Sequence, residues 1–500
     1  MHYEVTSSLL ILIPLVPAAA GLAAYLLGRL TVSAAYVLAL VGSVGAFLLS
    51  SAAATHVLGG EVLTGINNEL RMDGLSALMV VVISGVGVLA TVFALDYMRH
   101  GALIDRLKAE RRLVSFYAWY LLFLATMLWA CVTNNIIMLY VAVEASTITS
   151  GLLVAFYGDK RALEAAYKYL MLLTVGISFA LFASVLLYAS AAALIGGSKG
   201  LLISEIGKVA GQLPRSVAVF SMALLVVGFG TKAGIAPFHP WLPDAHAEAP
   251  SAVSALLSGL MIKMAFYALA RILCLFFPSY PPLGVFLVVL GAITMVVGGV
   301  MTLAQVDLKR LLAYSSVSQM GYLLMGIGFG TALGYYGAFF HLVNHAVAKG
   351  LLFLSVGAII YATRGRSLQE LSGLGRVMPV TGVCFFVGAL SLSGMPPFGG
   401  FMSKFTLYLA GAQVKMWWAV GIAMFTSLLT LVALGRAAAG AFWGTKVVAP
   451  VQEVREVPWT LWGPMVLLAL VALALGLAPN TAYHLVQAAV TSLPKLVGLP

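Results

Sequence analysis

The sequence predicts an all-α polytopic membrane protein without a soluble domain. Of the 500 residues, 62% are hydrophobic and only 9% are charged, and the mean hydropathy is +1.03. A chain with so few charges cannot cover the surface of a soluble protein of this size. Apolar runs of about 20 residues, the length of a helix that spans a bilayer, recur from end to end. The alternating segments of about ten residues that a β-barrel requires are absent from the sequence.

We predict about 14 membrane-spanning helices, each built on an apolar run that is long enough to cross the hydrocarbon core. The first run continues into further spans and lacks a small-residue cleavage site, so we interpret it as a structural helix rather than a signal peptide. The predicted spans cover residues 7–27, 33–53, 75–95, 114–131, 134–156, 163–190, 217–238, 246–276, 283–303, 308–329, 334–361, 378–411, 416–442 and 459–477.

The basic residues are distributed asymmetrically between the two sides of the predicted spans. The turns after odd-numbered spans, which include Lys446, carry 16 of the 28 Lys and Arg residues, and the opposite side, which includes Lys495, carries six. Under the positive-inside rule, this places the odd-numbered turns in the cytoplasm and both termini outside it, in a cell membrane. The net charge of +11 therefore orients the chain and does not indicate a nucleic-acid site.

Motifs for cofactors and metals are missing from the sequence. Cys131, Cys274 and Cys384 are isolated in apolar surroundings, without a CxxC pair. The chain has no iron–sulfur motif, no GxGxxG before a helix and no Walker A loop. We therefore expect no cofactor, no metal and no redox centre in this chain.

Two of the predicted spans are interrupted by proline and glycine. The seventh contains Lys232 in GFGTKAGIAPFHPWLPDAHAEAPS, and the twelfth contains Lys404 in SLSGMPPFGGFMSKF. A regular helix cannot continue through such segments, and the freed backbone groups need partners in protein or in a water-filled cavity. Paired interruptions of this kind indicate a transport site.

The two interruptions are five spans apart, so the second segment crosses the membrane in the opposite direction to the first. This spacing predicts two inverted five-helix repeats, although kinks in a protein with 14 spans also arise by chance. The predicted division is N-terminal helices 1–3 at 1–112, one repeat at 113–277, a second at 278–445, and a C-terminal loop, helix and tail at 446–500.

Ionisable side chains within the spans are costly and point to an ion pathway. Glu144 lies in the fifth span, and Lys232 and Lys263 are its natural partners, because a Glu–Lys pair can be switched by moving one member. The alternatives are a structural, hydrogen-bonded Glu144 and a snorkelling Lys263. We expect Arg271 to reach the membrane interface and to have no part in transport.

His341, His345 and Lys349 recur at every fourth position in HLVNHAVAKGLLFL. They therefore share one helix face and cover about 12 Å of depth. Since histidine titrates near neutral pH, this stripe suits a proton relay. The alternatives are satisfied core histidines or a zinc site, and a third ligand for zinc is missing nearby in the sequence.

A further set of polar residues has equally plausible structural and functional interpretations. Either they form a pathway or entry, or they act as helix caps, interfacial anchors and helix-packing contacts. The set comprises Lys168, His239, Asp244, His246, Ser315 and Ser318.

Several of these segments resemble the antiporter-like subunits of complex I and its relatives, which include membrane-bound and formate-linked hydrogenases and Mrp-type Na⁺/H⁺ antiporters. The resemblance covers about residues 70 to 440, and it is closest to the shorter, 14-helix subunits and to the hydrogenase-associated branch. The matching stretches are VEAST, TKAGIAPFHPWLPDAHAEAPSAVSALLSG, VDLKRLLAYSSVSQMGY, HLVNHAVAKGLLFL and LSGMPPFGGFMSKF.

The resemblance implies inverted five-helix repeats and a hydrophilic axis parallel to the membrane. It also implies partners: other membrane subunits, including paralogous antiporter-like ones, and a redox module. Some members carry glutamate in the twelfth helix, where this chain has Lys404. The implied axis consists of Glu144, Lys232, Lys263, His341, His345, Lys349 and Lys404.

Two functions follow as hypotheses. The first is a proton-translocating subunit, with a link to Na⁺ left open, of a redox-driven complex of the NADH:quinone oxidoreductase or membrane-bound hydrogenase type. The second is a subunit of an Mrp-type Na⁺/H⁺ antiporter without redox coupling. A dedicated sodium site needs clustered oxygen ligands, and Glu144 is the one carboxylate predicted deep in a span, which favours the first hypothesis.

Overall fold

The computed structural model describes residues 3–101, 106–444, 447–450 and 453–494, and it describes no side chains for residues 100–109. Four of the basic residues that contribute to the charge asymmetry have no described side chain. Lys446 and Lys495 lie outside the described residues, as do the side chains of Arg106 and Lys108. The described chain is mostly helical.

A small sheet and four long helices form the N-terminal part. Strand β1 pairs in parallel with β2, and β2 pairs antiparallel with β3, so that this sheet joins the chain start to the turn between the second and third long helices. The elements are β1 (Tyr3–Thr6), α1 (Leu9–Leu27), α2 (Val32–Leu58), β2 (Glu61–Gly65), β3 (Leu70–Met72), α3 (Gly74–Gly101) and α4 (Arg106–Val132).

The middle of the chain contains the first interrupted helix. Asn135 and Asp159 cap the helices that follow them by accepting hydrogen bonds from backbone N–H groups of the first turn. The elements are α5 (Ile136–Val154), α6 (Lys160–Ile195), α7 (Gly197–Gly200), α8 (Ile203–Val209), α9 (Arg215–Ala233), α10 (Trp241–Glu248), α11 (Ser251–Leu256) and α12 (Ile262–Leu273), the last two joined by a π-helical turn at Leu257–Met261.

The C-terminal part contains the second interrupted helix. Asp307 and Thr331 cap the helices that follow them in the same way. The elements are α13 (Pro282–Leu303), α14 (Leu308–Gly328), α15 (Ala332–Thr363), α16 (Pro379–Ser393), α17 (Gly399–Gln413), α18 (Trp417–Phe442), α19 (Trp459–Leu477) and α20 (Asn480–Thr491).

The predicted membrane architecture is confirmed. Within the described ranges, 12 helices are long and apolar enough to cross a membrane. The predicted tenth span corresponds to α14, which carries several serines, and the twelfth is divided between α16 and α17. The chain is therefore a multi-pass, all-α membrane protein.

Both predicted interruptions are present, and protein atoms satisfy the backbone at each. A left-handed glycine ends the first half of each broken helix, Gly234 after α9 and Gly394 after α16. At the first break, the indole Nε1 of Trp241 donates to the carbonyl of Thr231 at 2.8 Å. At the second, Ser427 donates to the carbonyl of Ser393 at 2.7 Å. Side chains thus replace the lost helical hydrogen bonds.

The second break also requires a close approach between its two halves. A Cβ atom on Gly400, at the start of α17, would lie 1.7 Å from the backbone oxygen of Ser391 in α16. Such a contact with backbone forces the two helices apart. Gly421 in α18 has open space around its Cα and serves as a matched control.

We expect Gly400→Ala to destabilise the protein by about 1–3 kcal/mol, the usual cost of overpacking. Gly421→Ala should leave stability unchanged or raise it slightly, because alanine favours helix more than glycine does. Thermal denaturation of the two purified variants in detergent tests this. Equal melting temperatures would contradict the tight packing of α16 against α17.

Candidate functional site

Glu144 and Lys232 lie near each other but do not form a direct ion pair, although both are among the described residues. The buried Lys232 ammonium donates to the backbone oxygen of Val143 and to the Thr147 hydroxyl, each at 2.5 Å. Thr147 in turn donates to Glu144 Oε2 at 3.1 Å. One hydroxyl therefore connects the predicted partners.

Glu144 is only partly buried within this chain. Its Oε1 accepts a hydrogen bond of 3.0 Å from Thr174, an exposed residue of α6. The surrounding exposed residues of α5 are apolar, with Val141 37% and Ile148 54% exposed. A carboxylate at this depth lies on the lateral face of the chain, where lipid would be an unfavourable neighbour.

Lys263 and Lys349 are connected indirectly through Ser258 and Ser316. The Lys263 ammonium donates to the backbone oxygen of Ser258, which lies in the π-helical turn between α11 and α12. The Ser258 hydroxyl lies 2.7 Å from that of Ser316. Ser316 donates to the carbonyl of Leu312 at 2.9 Å, and Lys349 donates to the same carbonyl at 2.6 Å. These contacts form one buried chain of polar groups.

The two histidines of α15 stack in parallel, as their spacing predicts. The ring centroids of His341 and His345 are 6.0 Å apart with an interplanar angle of 3°. His341 lies between Ser403 Oγ at 3.0 Å and Gln319 Oε1 at 3.1 Å. Both ring nitrogens of His345 are buried without a hydrogen-bond partner among the described residues.

The side chain of Lys404, in α17, contacts the second break. Its ammonium donates to the carbonyl of Leu392 at 2.9 Å and to Ser427 at 3.0 Å, and it lies 4.7 Å from the ring centroid of Tyr322. The Tyr322 ring is in turn 5.4 Å from that of His341. Lys404 thus belongs to the same polar region as the histidine pair.

The residues of the predicted axis lie close together in its second half, whereas its first half is interrupted. The His345 ring stacks on that of His341, and the Tyr322 ring lies between His341 and the Lys404 ammonium. In the described part of the chain, no hydrogen bond connects Lys232 directly to Lys263. Lys263 contacts Ser258 rather than Glu144, so its predicted pairing with Glu144 is not observed.

The predicted entry residues gather on the face formed by turns after odd-numbered spans. Asp244 lies 2.9 Å from Arg310 and 3.8 Å from Lys168, and the latter also pairs with Glu164 at 2.7 Å. Helices α10 and α11 begin without a side-chain cap, but Asp244 lies in the first turn of α10, where a carboxylate is favourable. Asp244 also belongs to a surface ion cluster.

Beneath this cluster lie two histidines and a buried lysine. His246 is fully buried and stacks on Phe353 at 4.8 Å, and neither of its ring nitrogens has a hydrogen-bond partner in the described structure. His239 is partly buried. Lys309 follows a cap residue at a predicted cytoplasmic turn, yet its ammonium is buried and donates to the Ala249 carbonyl at 2.6 Å.

The serines of α14 have different roles. Ser315 accepts a hydrogen bond of 2.5 Å from Lys349 and so belongs to the axis. Ser318 donates to the backbone oxygen of Met295 at 3.1 Å. Ser318 therefore fits the helix-packing interpretation, whereas Ser315 fits the pathway.

Arg271 lies in the last turn of α12, near the end of its predicted span. Its guanidinium binds Asp73 through both Nη atoms, and each of the two side chains is only 14% exposed. Burial by itself would raise the pKa of Asp73, but the charge and hydrogen bonds of Arg271 outweigh it and lower that pKa. An ion pair with a carboxylate from the turn before α3 thus fixes Arg271 at the end of its span.

Comparison with protein families identifies the chain. The family model for "NADH:quinone oxidoreductase/Mrp antiporter, TM" matches residues 133–430, and the model for "NADH-Ubiquinone oxidoreductase (complex I), chain 5 N-terminus" matches residues 64–106. The first match covers more than half of the chain. The protein belongs to the NADH:quinone oxidoreductase/Mrp antiporter family.

Relatives in this family include components of two kinds of complex. The chain is 33% identical to NADH-quinone oxidoreductase subunit N of Desulforudis audaxviator, over 94% of this chain and 96% of that one. It is 34% identical to a hydrogenase-4 component F homolog of Methylacidiphilum infernorum, over 69% and 72%. The similarity therefore extends beyond the hydrogenase-associated branch.

A solved structure shares the fold. A chain of the membrane-bound sulfane sulfur reductase, an archaeal respiratory membrane complex, aligns with a TM-score of 0.86 at 24% identity, over 98% of both chains. At this level of identity, the alignment shows the fold. It supports the predicted all-α membrane fold of the family member described here.

Sequence reasoning misses three residues of the polar network in this antiporter-family chain. Thr147 follows Glu144 by three positions and therefore shares its helix face, a signal that could have identified it. The position of Ser258 depends on a π-helical turn that no sequence pattern marks. Asp73 lies outside the predicted apolar spans, so hydropathy does not mark it as a buried charge.

Proposed function

We propose that the chain is a proton-translocating, antiporter-like membrane subunit of a redox-driven complex, of the NADH:quinone oxidoreductase or membrane-bound hydrogenase type. The redox chemistry would take place in other subunits, and this chain would supply the ion pathway. A link to Na⁺ and the direction of transport are left open. The location would be the cell membrane, with both termini outside the cytoplasm.

The observation that carries the proposal is the state of four lysines that are buried well inside the spans. Their ammonium groups contact carbonyl and hydroxyl oxygens, and within the described residues none lies within ion-pair distance of a carboxylate. A desolvated lysine without a fixed counter-charge gains and loses a proton readily. Such groups have no purpose in a simple membrane anchor, because each is costly to bury. The four are Lys232, Lys263, Lys349 and Lys404.

In this proposal the residues have distinct roles. Glu144 modulates the proton affinity of Lys232 through Thr147. Lys263 carries the proton to the second half of the chain. The second-half relay and exit comprise Lys349, His345, His341 and Lys404, and the entry comprises Lys168, Asp244, His239 and His246.

The lateral position of Glu144 supports an assembly with other membrane subunits. A partly exposed carboxylate at membrane depth is stable only if another protein surface covers it and supplies a polar group. The exposed apolar faces of α5 and α6 suit such a contact. We propose that a neighbouring membrane subunit, such as a paralogous antiporter-like one, packs there.

We further propose that residues 113–277 and 278–445 are inverted repeats. Gly234 and Gly394 each have a left-handed backbone conformation, and each precedes a break. A lysine lies shortly before Gly234 and after Gly394, which is consistent with this arrangement. The N-terminal residues 1–112 and the C-terminal residues 446–500 would flank the two repeats.

Isolation of the tagged chain with its native partners tests the proposed function. We expect iron–sulfur subunits to co-purify, and the reconstituted complex to move protons across vesicle membranes when its redox substrates are supplied. If only small membrane subunits co-purify and a Na⁺ gradient drives proton movement without redox substrates, the alternative is correct. The chain would then be an Mrp-type antiporter subunit, which the family description also includes.

A further inference from the structure

The two histidines of α15 share a helix face but differ in their hydrogen bonds. Both are buried, with 1% of each residue exposed. His341 has a partner at each ring nitrogen, with Ser403 Oγ 3.0 Å from Nδ1 and Gln319 Oε1 3.1 Å from Nε2. Neither ring nitrogen of His345 has a partner among the described residues. The environments of the two rings are therefore different in kind.

The partners of His341 do not lead a proton onward. The Gln319 side chain is a carboxamide, which neither gains nor loses a proton under ordinary conditions. The Ser403 hydroxyl donates to the carbonyl of Gly400 at 3.0 Å, and that carbonyl belongs to the backbone. Within the described chain, no hydrogen bond connects His341 to Lys404 or to another titratable side chain. A proton on His341 thus has no bonded carrier to which it can move.

Gln319 and Ser403 hold the His341 ring from two other helices. Gln319 belongs to α14 and Ser403 to α17, the second half of the broken helix, and both side chains are fully buried. A hydroxyl can donate or accept, and a carboxamide can present either its oxygen or its NH₂ group. Both ring nitrogens therefore keep a partner in either tautomer, and the plane of the ring stays fixed.

The fixed ring of His341 contacts two neighbouring rings. Its centroid lies 6.0 Å from that of His345, with an angle of 3° between the planes, and 5.4 Å from that of Tyr322. Parallel rings at such a separation attract each other when they are offset. His345 has no side-chain hydrogen bond to any described residue, so the His341 ring is the contact that sets its orientation.

We propose that His341 is a positioning residue and not a proton carrier: Gln319 and Ser403 hold its ring, and its ring orients that of His345. The proposal rests on the proposed function and divides the roles of the two histidines in its relay. Proton passage at this point of the axis then depends on the imidazole of His345. His341 supplies the surface against which that imidazole is held.

Phenylalanine at position 341 separates the two roles, because a phenyl ring stacks as an imidazole does but cannot bind a proton. In the reconstituted complex, energised by its redox substrates, we expect His341→Phe to transfer protons within about threefold of the wild-type rate, since it loses only neutral hydrogen bonds. His341→Ala should be about tenfold slower than wild type, because His345 loses its aromatic neighbour. Equally severe losses in the two variants would show that His341 carries protons.

The same substitution at His345 is the internal comparison. His345→Phe keeps the stacked pair and removes the imidazole of the proposed carrier, so it should transfer protons about 10²-fold more slowly than wild type. Ser355→Ala is a control on the same helix, because its hydroxyl donates only to the Leu351 carbonyl of α15, at 2.8 Å. A His345→Phe variant that is as fast as His341→Phe would overturn the division of roles.

Variants of the two partners test the positioning role without changing either histidine. Gln319→Met combined with Ser403→Ala leaves an imidazole without partners, which turns away from its stacked position, so transfer should slow about tenfold. Ser403→Thr keeps the hydroxyl and should transfer protons at the wild-type rate. So should Thr406→Val, which removes a hydroxyl of α17 that donates to the Met402 carbonyl at 2.8 Å. Wild-type transfer by the double variant would contradict the positioning role, and this set decides if His341→Phe fails to assemble.

The variant Lys232→Ala in the same assay separates a failure of this proposal from a failure of the proposed function. If Lys232→Ala is inactive while His341→Phe is as slow as His345→Phe, then His341 is a carrier and the proposed function stands. If Lys232→Ala and His345→Phe both transfer protons at the wild-type rate, the proposed function is wrong, and the roles assigned within its relay are wrong with it.

Discussion

Replacing Lys232 by alanine is expected to reduce redox-driven proton transfer by about 10²-fold, the order that a positioned proton-transfer group contributes. The ammonium joins the first break to Glu144 through Thr147. The assembled complex should retain its redox activity with artificial acceptors. Proton transfer into vesicles that contain the intact complex, energised by its redox substrates, is the measurement.

Lys232→Arg distinguishes a proton carrier from a fixed positive charge. Arginine keeps the charge but does not release a proton under ordinary conditions, so it should be as inactive as alanine. Lys199→Ala, at an exposed turn, serves as the control and should have no effect. Wild-type transfer by Lys232→Arg would show that the site needs charge alone.

The second large effect is expected for Thr147→Val. This change keeps the shape of the side chain and removes the hydroxyl that accepts from Lys232 and donates to Glu144. A hydrogen bond to a charged group contributes about 1.5–3 kcal/mol, which corresponds to about a 10- to 100-fold loss of proton transfer. The same vesicle assay measures it.

The same helix offers a matched control for this change. Thr149→Val removes a hydroxyl that donates only to carbonyls of α5, namely Ala145 and Ser146, so its proton transfer should be normal. Thr147→Ser should restore most of the transfer lost in Thr147→Val. Equal rates for Thr147→Val and Thr149→Val would mean that Glu144 acts on Lys232 without the hydroxyl.

The second break has a physical design that explains why Lys404 lies there. A broken helix leaves carbonyl oxygens without their helical partners, and these oxygens need donors. At the second break, the Lys404 ammonium supplies one of these donors to Leu392. An ammonium bound to neutral oxygens is held in place without a counter-charge. The same break that frees the carbonyl thus creates a site for a titratable lysine.

The sequence by itself determined the membrane class, the positions of the spans and the two interruptions. These features are local, because span length depends on a run of apolar residues, and a break depends on proline and glycine within it. The stripe of His341, His345 and Lys349 is also local, since helical spacing alone places the three residues on one face. All of these predictions are confirmed.

Only the tertiary structure decided which atoms the buried charges meet. Thr147 stands between Glu144 and Lys232, Glu144 lies on a lateral face, and Arg271 binds Asp73, a residue 198 positions away in the chain. Such contacts depend on how helices distant in sequence pack and rotate against each other. Hydropathy and periodicity describe one helix at a time, so they place a charge at a depth and on a face but do not identify its partner.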